Sequence, residues 1–335
     1  MKSKTPQAFS GVVLAYDIGG TKVHVGVVDS KGKVLAEKRM LVDFSQGKDS
    51  VIRQWISVGR EVLTSANQKQ PKLSAKVRRV GVASAGPLDP VRGLLLDPTN
   101  FGGWGVVPVA RLLSRGLSWD GTLRKVSLEN DAASAILAEH WKGSARGVRD
   151  ALVMTLGTGL GTGMLVAGSL VRAGRSMHTE GGHVIIRAGD ETARCGCGNL
   201  GCAEAYLSGR GFERRAGVKL GASAGSASEI ADRARAGDPE CLALFTEYAE
   251  LLAITIHNFV VLYAPTRVVL TGSFSQAADL FLEQARLRLE QLLMRRRHGI
   301  DFLPRLEVSK LQNRSGLLGG AYVAFSQTAS SFSRS

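Results

Sequence analysis

Val12-Val-Leu-Ala-Tyr16, then Asp17-Ile-Gly-Gly-Thr-Lys22, then Val23-His-Val-Gly-Val-Val28: two apolar runs joined by a glycine turn decide the fold. Short β-branched runs punctuated by turn residues read as strands. With Val34 to Arg39, which follows Asp29-Ser-Lys-Gly32, they make a three-stranded meander. In the turn, backbone amides and the Thr21 hydroxyl suit phosphate oxygens while Asp17 faces a magnesium ion. A plain β-turn is the other reading of the same residues. The outline returns at Ala151 to Leu156, Gly157-Thr-Gly-Leu-Gly-Thr-Gly163 and Met164 to Ala167, with Gly168 and a strand Ser169 to Arg172 after it. Two phosphate-type turns, each between hairpin strands, point to a duplicated pair of domains facing across a cleft. Gly157-Thr158-Gly159 is not a Walker loop, since no Gly-Lys-Ser/Thr follows.

Length and composition agree with that organisation. A chain of 335 residues exceeds the usual single core, so two domains are expected. A hydrophobic content of 44% with 40 glycines and 6% aromatics fits an α/β protein rich in tight turns. The net charge of +14 favours anionic partners. Its densest run, Arg295-Arg-Arg297, ends an amphipathic pattern from about Asp279, where cations suit a helix C-terminus. No aromatic residues interleave with it as single-strand binding would require, so no nucleic acid partner is expected. The basic start Met1-Lys-Ser-Lys-Thr5 precedes an apolar run too short for a signal core. Leu251 to Tyr263 is interrupted by His257 and Asn258, so no membrane span is expected. Three of four cysteines cluster and Cys241 stands alone in a helical pattern, which argues for a reducing compartment, the cytoplasm.

The cluster is Cys195-Gly-Cys197-Gly-Asn-Leu-Gly-Cys202-Ala-Glu204, with His183 twelve residues upstream of its first thiol. One imidazole and three thiols supply the four ligands of a structural zinc. Gly196, Gly198 and Gly201 stand where a knuckle needs close backbone approach. A closed site leaves no open position for chemistry, so Glu180 and Glu204, which the metal would position, are the groups expected to meet a ligand. Unlinked or disulfide-linked thiols with an unrelated histidine are the alternative.

Other candidates sit at predicted strand ends, where α/β proteins bind ligands. Strand Val80 to Ser84 ends in Ala85-Gly-Pro-Leu-Asp89. The loop Asp97-Pro-Thr-Asn100-Phe-Gly-Gly-Trp104 pairs an amide with an indole, as carbohydrate sites do, or is a Gly/Pro loop with a packing tryptophan. Strand Lys125 to Leu128 delivers Glu129-Asn130-Asp131 to a helix over Ala132 to Trp141. Asn130 or Asp131 is then a helix cap, and a carboxylate there beside an amide also suits a general base. Strand Val268 to Leu270 runs into Thr271-Gly-Ser273, a turn small enough to pass under an adenosine. Gly316-Leu-Leu-Gly-Gly-Ala321 opens a terminal helix that returns to the first domain.

Taken together, Asp17 to Lys22, Gly81 to Asp89, Glu129-Asn-Asp131, Gly157 to Gly163, Glu180-Gly-Gly-His183 and Cys195 to Glu204 make a set that resembles the ROK family of sugar kinases and repressors, over roughly residues 11 to 326. The resemblance implies a two-domain actin-like ATPase fold, ribonuclease H-like, with a ligand cleft between the domains and a zinc knuckle. It divides the chain into a small α/β domain, 1–130, completed by a helix at 315–330, and a large one, 131–314, carrying the zinc loop. It further implies ATP-dependent phosphorylation of a hexose 6-hydroxyl, with glucose as first acceptor and N-acetylglucosamine or N-acetylmannosamine as alternatives.

Residue by residue, the resemblance makes Asp131 the base and gives Asn100, Asn130, Glu180, His183 and Glu204 to the sugar. His183, Cys195, Cys197 and Cys202 hold structural Zn2+. Asp17, Gly20, Thr21 and Lys22 face phosphate and Mg2+, with Thr158 and Gly159 on the opposite wall. A homodimer is expected. His178-Thr179 departs from the family's usual Ala-Gly, and Thr271-Gly-Ser273 from its usual glycine triplet. The rival from another class is a sugar-responsive repressor. Its DNA-binding domain would precede the first phosphate motif, and with Asp17 so near the start none is expected.

Overall fold

Valine-rich runs on either side of Gly19-Gly20 pair as strands, because their branched side chains pack on a pleated surface and the glycines reverse the chain. The computed structural model describes residues 10–98, 101–174, 177–221, 224–294 and 301–326. Strands β1 (Val12–Ile18) and β2 (Lys22–Asp29) are antiparallel, closing at Ile18↔Val23. Strand β3 (Val34–Leu41) completes the meander. Helices α1 (Lys48–Lys69) and α2 (Leu73–Lys76) lead to β4 (Arg79–Ser84), parallel to β1. A separate small sheet follows, β5 (Leu88–Asp89), β6 (Leu94–Leu96) and β7 (Val106–Val107). Helix α3 (Val109–Leu117) precedes β8 (Lys125–Asn130), parallel to β4, and α4 (Asp131–Lys142) starts at once.

The hairpin then repeats as β9 (Ala151–Leu156), β10 (Leu160–Val166) and β11 (Ser169–Leu170). Helices α5 (Glu204–Leu207), α6 (Gly209–Leu220), α7 (Ala227–Arg235) and α8 (Pro239–Tyr263) lie between it and β12 (Arg267–Thr271). Helix α9 (Leu282–Leu293), β13 (Arg305–Val308) and α10 (Ser315–Ser326) end the described chain. The two large sheets have the orders β3-β2-β1-β4-β8 and β11-β10-β9-β12-β13. In each, a three-stranded antiparallel meander adds two parallel strands on the side of its first strand. The duplication read from the glycine turns is a duplication of strand plan.

Two compact units result. One takes the described residues within Met1–Lys142, Arg172–His178 and Arg314–Ser335; the other takes those within Gly143–Val171 and Thr179–Asn313. The first unit's core gathers Tyr16, Trp55, Leu63 and Phe101, all fully buried. Helix α10 approaches β4 and α4 closely enough to bring backbone against backbone. A Cβ on Gly81 would stand 1.9 Å from the Gly320 carbonyl, and one on Gly319 would stand 2.4 Å from that of Ser134 in α4. The second core gathers Tyr206, Phe245 and Phe281. Helix α8 is long and apolar enough to cross a bilayer, but Leu244, Phe245, Tyr248, Leu252 and Ile256 line one side of it within that core.

Strand boundaries differ in places from the sequence reading. β8 continues two residues to Asn130, held there by pairing with Ser84 of β4. β11 stops at Leu170, two residues short of Arg172, whose guanidinium instead meets the buried Glu129 carboxylate. The small sheet and β13 carry no alternation strong enough to mark them in the sequence.

Candidate functional site

Parallel pairing brings three loops of the first unit to one sheet edge. Ile18↔Ser84 and Ser84↔Asn130 are register neighbours, so the Asp17 turn, the Ala85-Gly86 loop and Asn130-Asp131 share the carboxyl ends of β1, β4 and β8. Asn130 caps α4: its Oδ1 accepts from the Ala132 and Ala133 amides at 3.0 and 3.1 Å. Its Nδ2 donates to Asp131 Oδ1 at 2.9 Å, which also accepts from the Ala132 amide at 2.8 Å. The half-buried Asp131 carboxylate is thereby aimed by its neighbour and sits at a helix N-terminus, where negative charge is favoured.

Behind it lies a group that the sequence did not single out. Glu129 is buried, accepts the Asn130 amide at 2.9 Å on Oε1, and pairs with the Arg172 guanidinium through both of its oxygens. Asp17 faces the same edge. Burial first, and the charge of Asp131 second, push its carboxyl up to about 6, against the opposing pull of Lys22 and Arg39. The start of α10 abuts it, for a Cβ on Gly316 would stand 2.2 Å from the Asp17 carboxylate. A buried carboxyl whose ionisation a neighbouring carboxylate opposes suits a divalent cation, and magnesium takes one or two carboxylates together with phosphate oxygens. Gly20, Thr21 and Lys22 lie exposed on the turn, which the Gly19 amide closes onto the Lys22 carbonyl at 3.0 Å.

In the second unit a short 3-10 turn, Gly181–His183, presents the imidazole to the thiols. Ligand atoms of His183, Cys195, Cys197 and Cys202 all lie within 4.8 Å of one another. Cys197 Sγ and Cys202 Sγ are 3.7 Å apart, and Cys195 Sγ is 3.4 Å from His183 Nδ1. A tetrahedron with zinc's bond lengths has sulfur–sulfur edges of about 3.8 Å and sulfur–nitrogen edges of about 3.6 Å. The donor set therefore fits zinc, with Nδ1 as the imidazole ligand. The knuckle needs glycine at two positions. Gly198 has φ +93° and Gly201 φ +76°, and a Cβ on Gly201 would stand 1.6 Å from the Arg187 carbonyl. Gly196, expected to serve likewise, has open space and an ordinary φ. Its residue type is not dictated by the turn.

The expected ligand-facing acids lie beside this set. Glu180 is exposed, 3.8 Å from His183 Nε2. Glu204 opens α5; its Oε2 accepts the Leu160 amide at 3.0 Å and its Oε1 lies 3.4 Å from Cys195 Sγ. Thr158 is exposed at the tip of the second glycine turn, which the Gly157 amide closes onto the Gly159 carbonyl at 3.1 Å. Gly272 lies at the same sheet edge, since Thr271 is the register partner of Thr155; with φ +93°, it leaves no room for a Cβ against the Leu156 carbonyl.

Some expectations fall elsewhere. Asn100, Arg295 to Arg297 and Met1 to Thr5 lie outside the described residues. Trp104 packs with Phe44, Trp55 and Phe101, ring centroids 5.2 to 5.6 Å away, which is the packing alternative for that loop. His178, one of the two departures from the family pattern, is buried with its ring against Gly86.

Comparison with known proteins adds a family. The model of the ROK family matches residues 13–327. A glucokinase of Thermotoga maritima is 30% identical across 93% of this chain and 96% of that protein. An N-acetyl-D-glucosamine kinase of Yersinia enterocolitica is 27% identical across 93% of this chain and 99% of that protein. The crystal structure of a ROK family glucokinase from Streptomyces griseus in complex with glucose and AMPPNP superposes with a TM-score of 0.75, at 27% identity, over 94% of this chain and 99% of the other.

Proposed function

The chain belongs to the ROK family, and from that premise we propose that it is a sugar kinase, transferring the γ-phosphoryl group of ATP to the 6-hydroxyl of glucose. The observation that carries this is the arrangement at the edge of the first sheet. A carboxylate, Asp131, is fixed by Asn130 and a helix N-terminus beside a second carboxylate, Asp17, in a phosphate-type turn. Phosphoryl transfer demands little covalent chemistry of the protein, so a positioned base and charge stabilisation are sufficient equipment.

In this reading Asp131 accepts the proton of the hexose 6-hydroxyl as that oxygen attacks phosphorus. Asn130 holds the carboxylate in line, and the Gly159 amide with Thr21, Gly20, Lys22 and Thr158 orients the phosphates. Asp17 would hold a magnesium ion, which would supply charge neutralisation on the transferring group. Asn100, Glu180, His183 and Glu204 fix the sugar hydroxyls, the imidazole offering Nε2 while Nδ1 serves the zinc set. Zinc supplies no reacting bond there; its four ligands close the site. We place the enzyme in the cytoplasm as a homodimer, where ATP and reduced thiols coexist.

Glucose is preferred over N-acetylglucosamine as acceptor on the glucokinase relatives. The second reading is favoured by the N-acetyl-D-glucosamine kinase relative. The repressor reading is opposed by the retention of Asp17, Thr21, Lys22 and Asp131. Asp131→Asn tests the assignment. Sugar-dependent ADP release should fall by at least about a thousandfold, within the range for loss of a general base, while glucose binding followed by calorimetry persists. Turnover within tenfold of the unaltered protein would refute the base.

A further inference from the structure

Both arms of the metal set press on the second glycine turn and the start of β10 that follows it. On the histidine side, a Cβ on Gly182 would stand 2.0 Å from the Leu160 carbonyl, and one on Gly181 would stand 2.4 Å from Thr162 Oγ1. On the cysteine side, the Glu204 carboxylate accepts the Leu160 amide at 3.0 Å and fills the space where a Gly159 side chain would go, 2.7 Å from the Cβ position. Its other oxygen is 3.4 Å from Cys195 Sγ. Just beyond α5, the Gly209 amide donates to the Gly157 carbonyl at 2.8 Å. Residues 157 to 162 are thus held from the His183 strap, from the Glu204 carboxylate and from the start of α6, and two of those three attachments are continuous with metal ligands.

We propose that Glu204 is a positioning residue that couples the metal cluster to the second glycine turn, so that filling the His183, Cys195, Cys197, Cys202 set fixes residues 157 to 163 and raises affinity for nucleotide phosphates. The nucleotide half of this rests on the kinase reading above; the coupling of metal to turn does not. The physical route is short. Four bonds to one ion fix the strap Gly181–His183 relative to the knuckle. The knuckle ends in Glu204, and a carboxylate that accepts a backbone amide holds that amide where a phosphate oxygen on its far side meets Gly159 and Thr158 in a fixed geometry. Hydrogen bonds to charged acceptors are the stronger class. Without the ion, the strap and knuckle keep backbone bonds such as the Ala203 amide to the Val184 carbonyl at 2.9 Å, but the His183 and cysteine side chains are no longer tied to one another and the walls of the turn loosen. Metal occupancy then governs donor binding as well as acceptor binding.

The test uses the full chain, zinc-loaded and after chelation, and two readouts. Amide hydrogen exchange over 157–163 needs no assumption about function, and MgADP affinity without sugar, by calorimetry, reads the phosphate site. Removing zinc should speed exchange of this turn by about tenfold or more, the low end for losing a hydrogen bond to a charged group, and weaken MgADP by a similar factor. Cys197→Ser, at an exposed thiol, should reproduce both without depending on the chelator. Glu204→Ala should do so while retaining zinc, and Glu204→Gln, whose amide oxygen still accepts the Leu160 N–H, should restore slow exchange. Exchange over 157–163 that is unchanged by zinc removal overturns the coupling. So does fast exchange in both Glu204 variants together with slow exchange in zinc-free protein. If zinc-loaded protein binds no MgADP while exchange still responds to zinc, the kinase reading falls and the metal-to-turn coupling stands.

Discussion

Removing the guanidinium of Arg172 should expose how much the first unit relies on a charge pair that no local motif announces. Glu129 is 3% exposed, and Arg172→Ala leaves its carboxylate buried with the Asn130 amide still donating to it. Breaking a buried pair from one side costs about 3 to 5 kcal/mol, because the other charge stays unpaired and desolvated. Here the retained amide bond and the 35% exposure of the Arg172 side chain, which lets water enter, bring the expected cost down to about 2 to 3 kcal/mol. The assay is convenient because Trp55, Trp104, Trp119 and Trp141, all four tryptophans of the chain, belong to the first unit. Their fluorescence during urea unfolding reads that unit alone. Adding Glu129→Gln removes the stranded charge, so the double variant should be more stable than Arg172→Ala by about 1 kcal/mol or more. Since Glu129 fixes the amide of Asn130, turnover should fall in the single variant with little change in sugar affinity. A loss below about 0.5 kcal/mol, or a double variant no better than the single one, would refute the reasoning.

Two further changes bear on the same unit. Asp17→Asn should raise stability at pH 7.5 while abolishing MgADP binding. The sign follows from the raised carboxyl, at about 6 against an ordinary 3.8. Ionised Asp17 costs stability above pH 6, the cost shrinks as pH falls through 6, and it is gone below about 4. The variant's advantage should therefore vanish in thermal melts toward pH 4, and an advantage that grows on acidification would contradict it. Gly81→Ala drives a methyl to 1.9 Å from the Gly320 carbonyl and 2.8 Å from the Ala324 amide, both backbone. It should cost about 3 kcal/mol in the tryptophan-detected transition, and a neutral result would mean that α10 is free to shift on β4.

What the sequence disclosed was whatever sits within a few residues of itself. The two glycine turns, each closed by hydrogen bonds across two or three residues, and the thiol intervals of the knuckle are short-range patterns with a fixed geometry. Helix α4 was legible for the same reason, since Asn130 is its cap. What stayed hidden depends on distant partners. Glu129 reads as one more acid until Arg172, 43 residues on, is placed against it. Glu204 was read as a sugar ligand, and nothing in Cys202-Ala-Glu204 says that one of its oxygens will take the amide of Leu160, 44 residues earlier. Gly316 shows its purpose only once α10 is laid against Asp17. Gly196 erred in the other direction: a glycine in a glycine-rich knuckle invites a conformational explanation that its backbone does not require.

The central claim is that the carboxylate-lined edge of the first sheet readies a hexose for attack on ATP. Zinc-loaded protein incubated with MgATP and, in turn, glucose, N-acetylglucosamine, N-acetylmannosamine, mannose and fructose should release ADP fastest with glucose. Phosphorus NMR should then place the new ester on the 6-oxygen. Absence of sugar-dependent ADP release with every one of these acceptors would contradict the account.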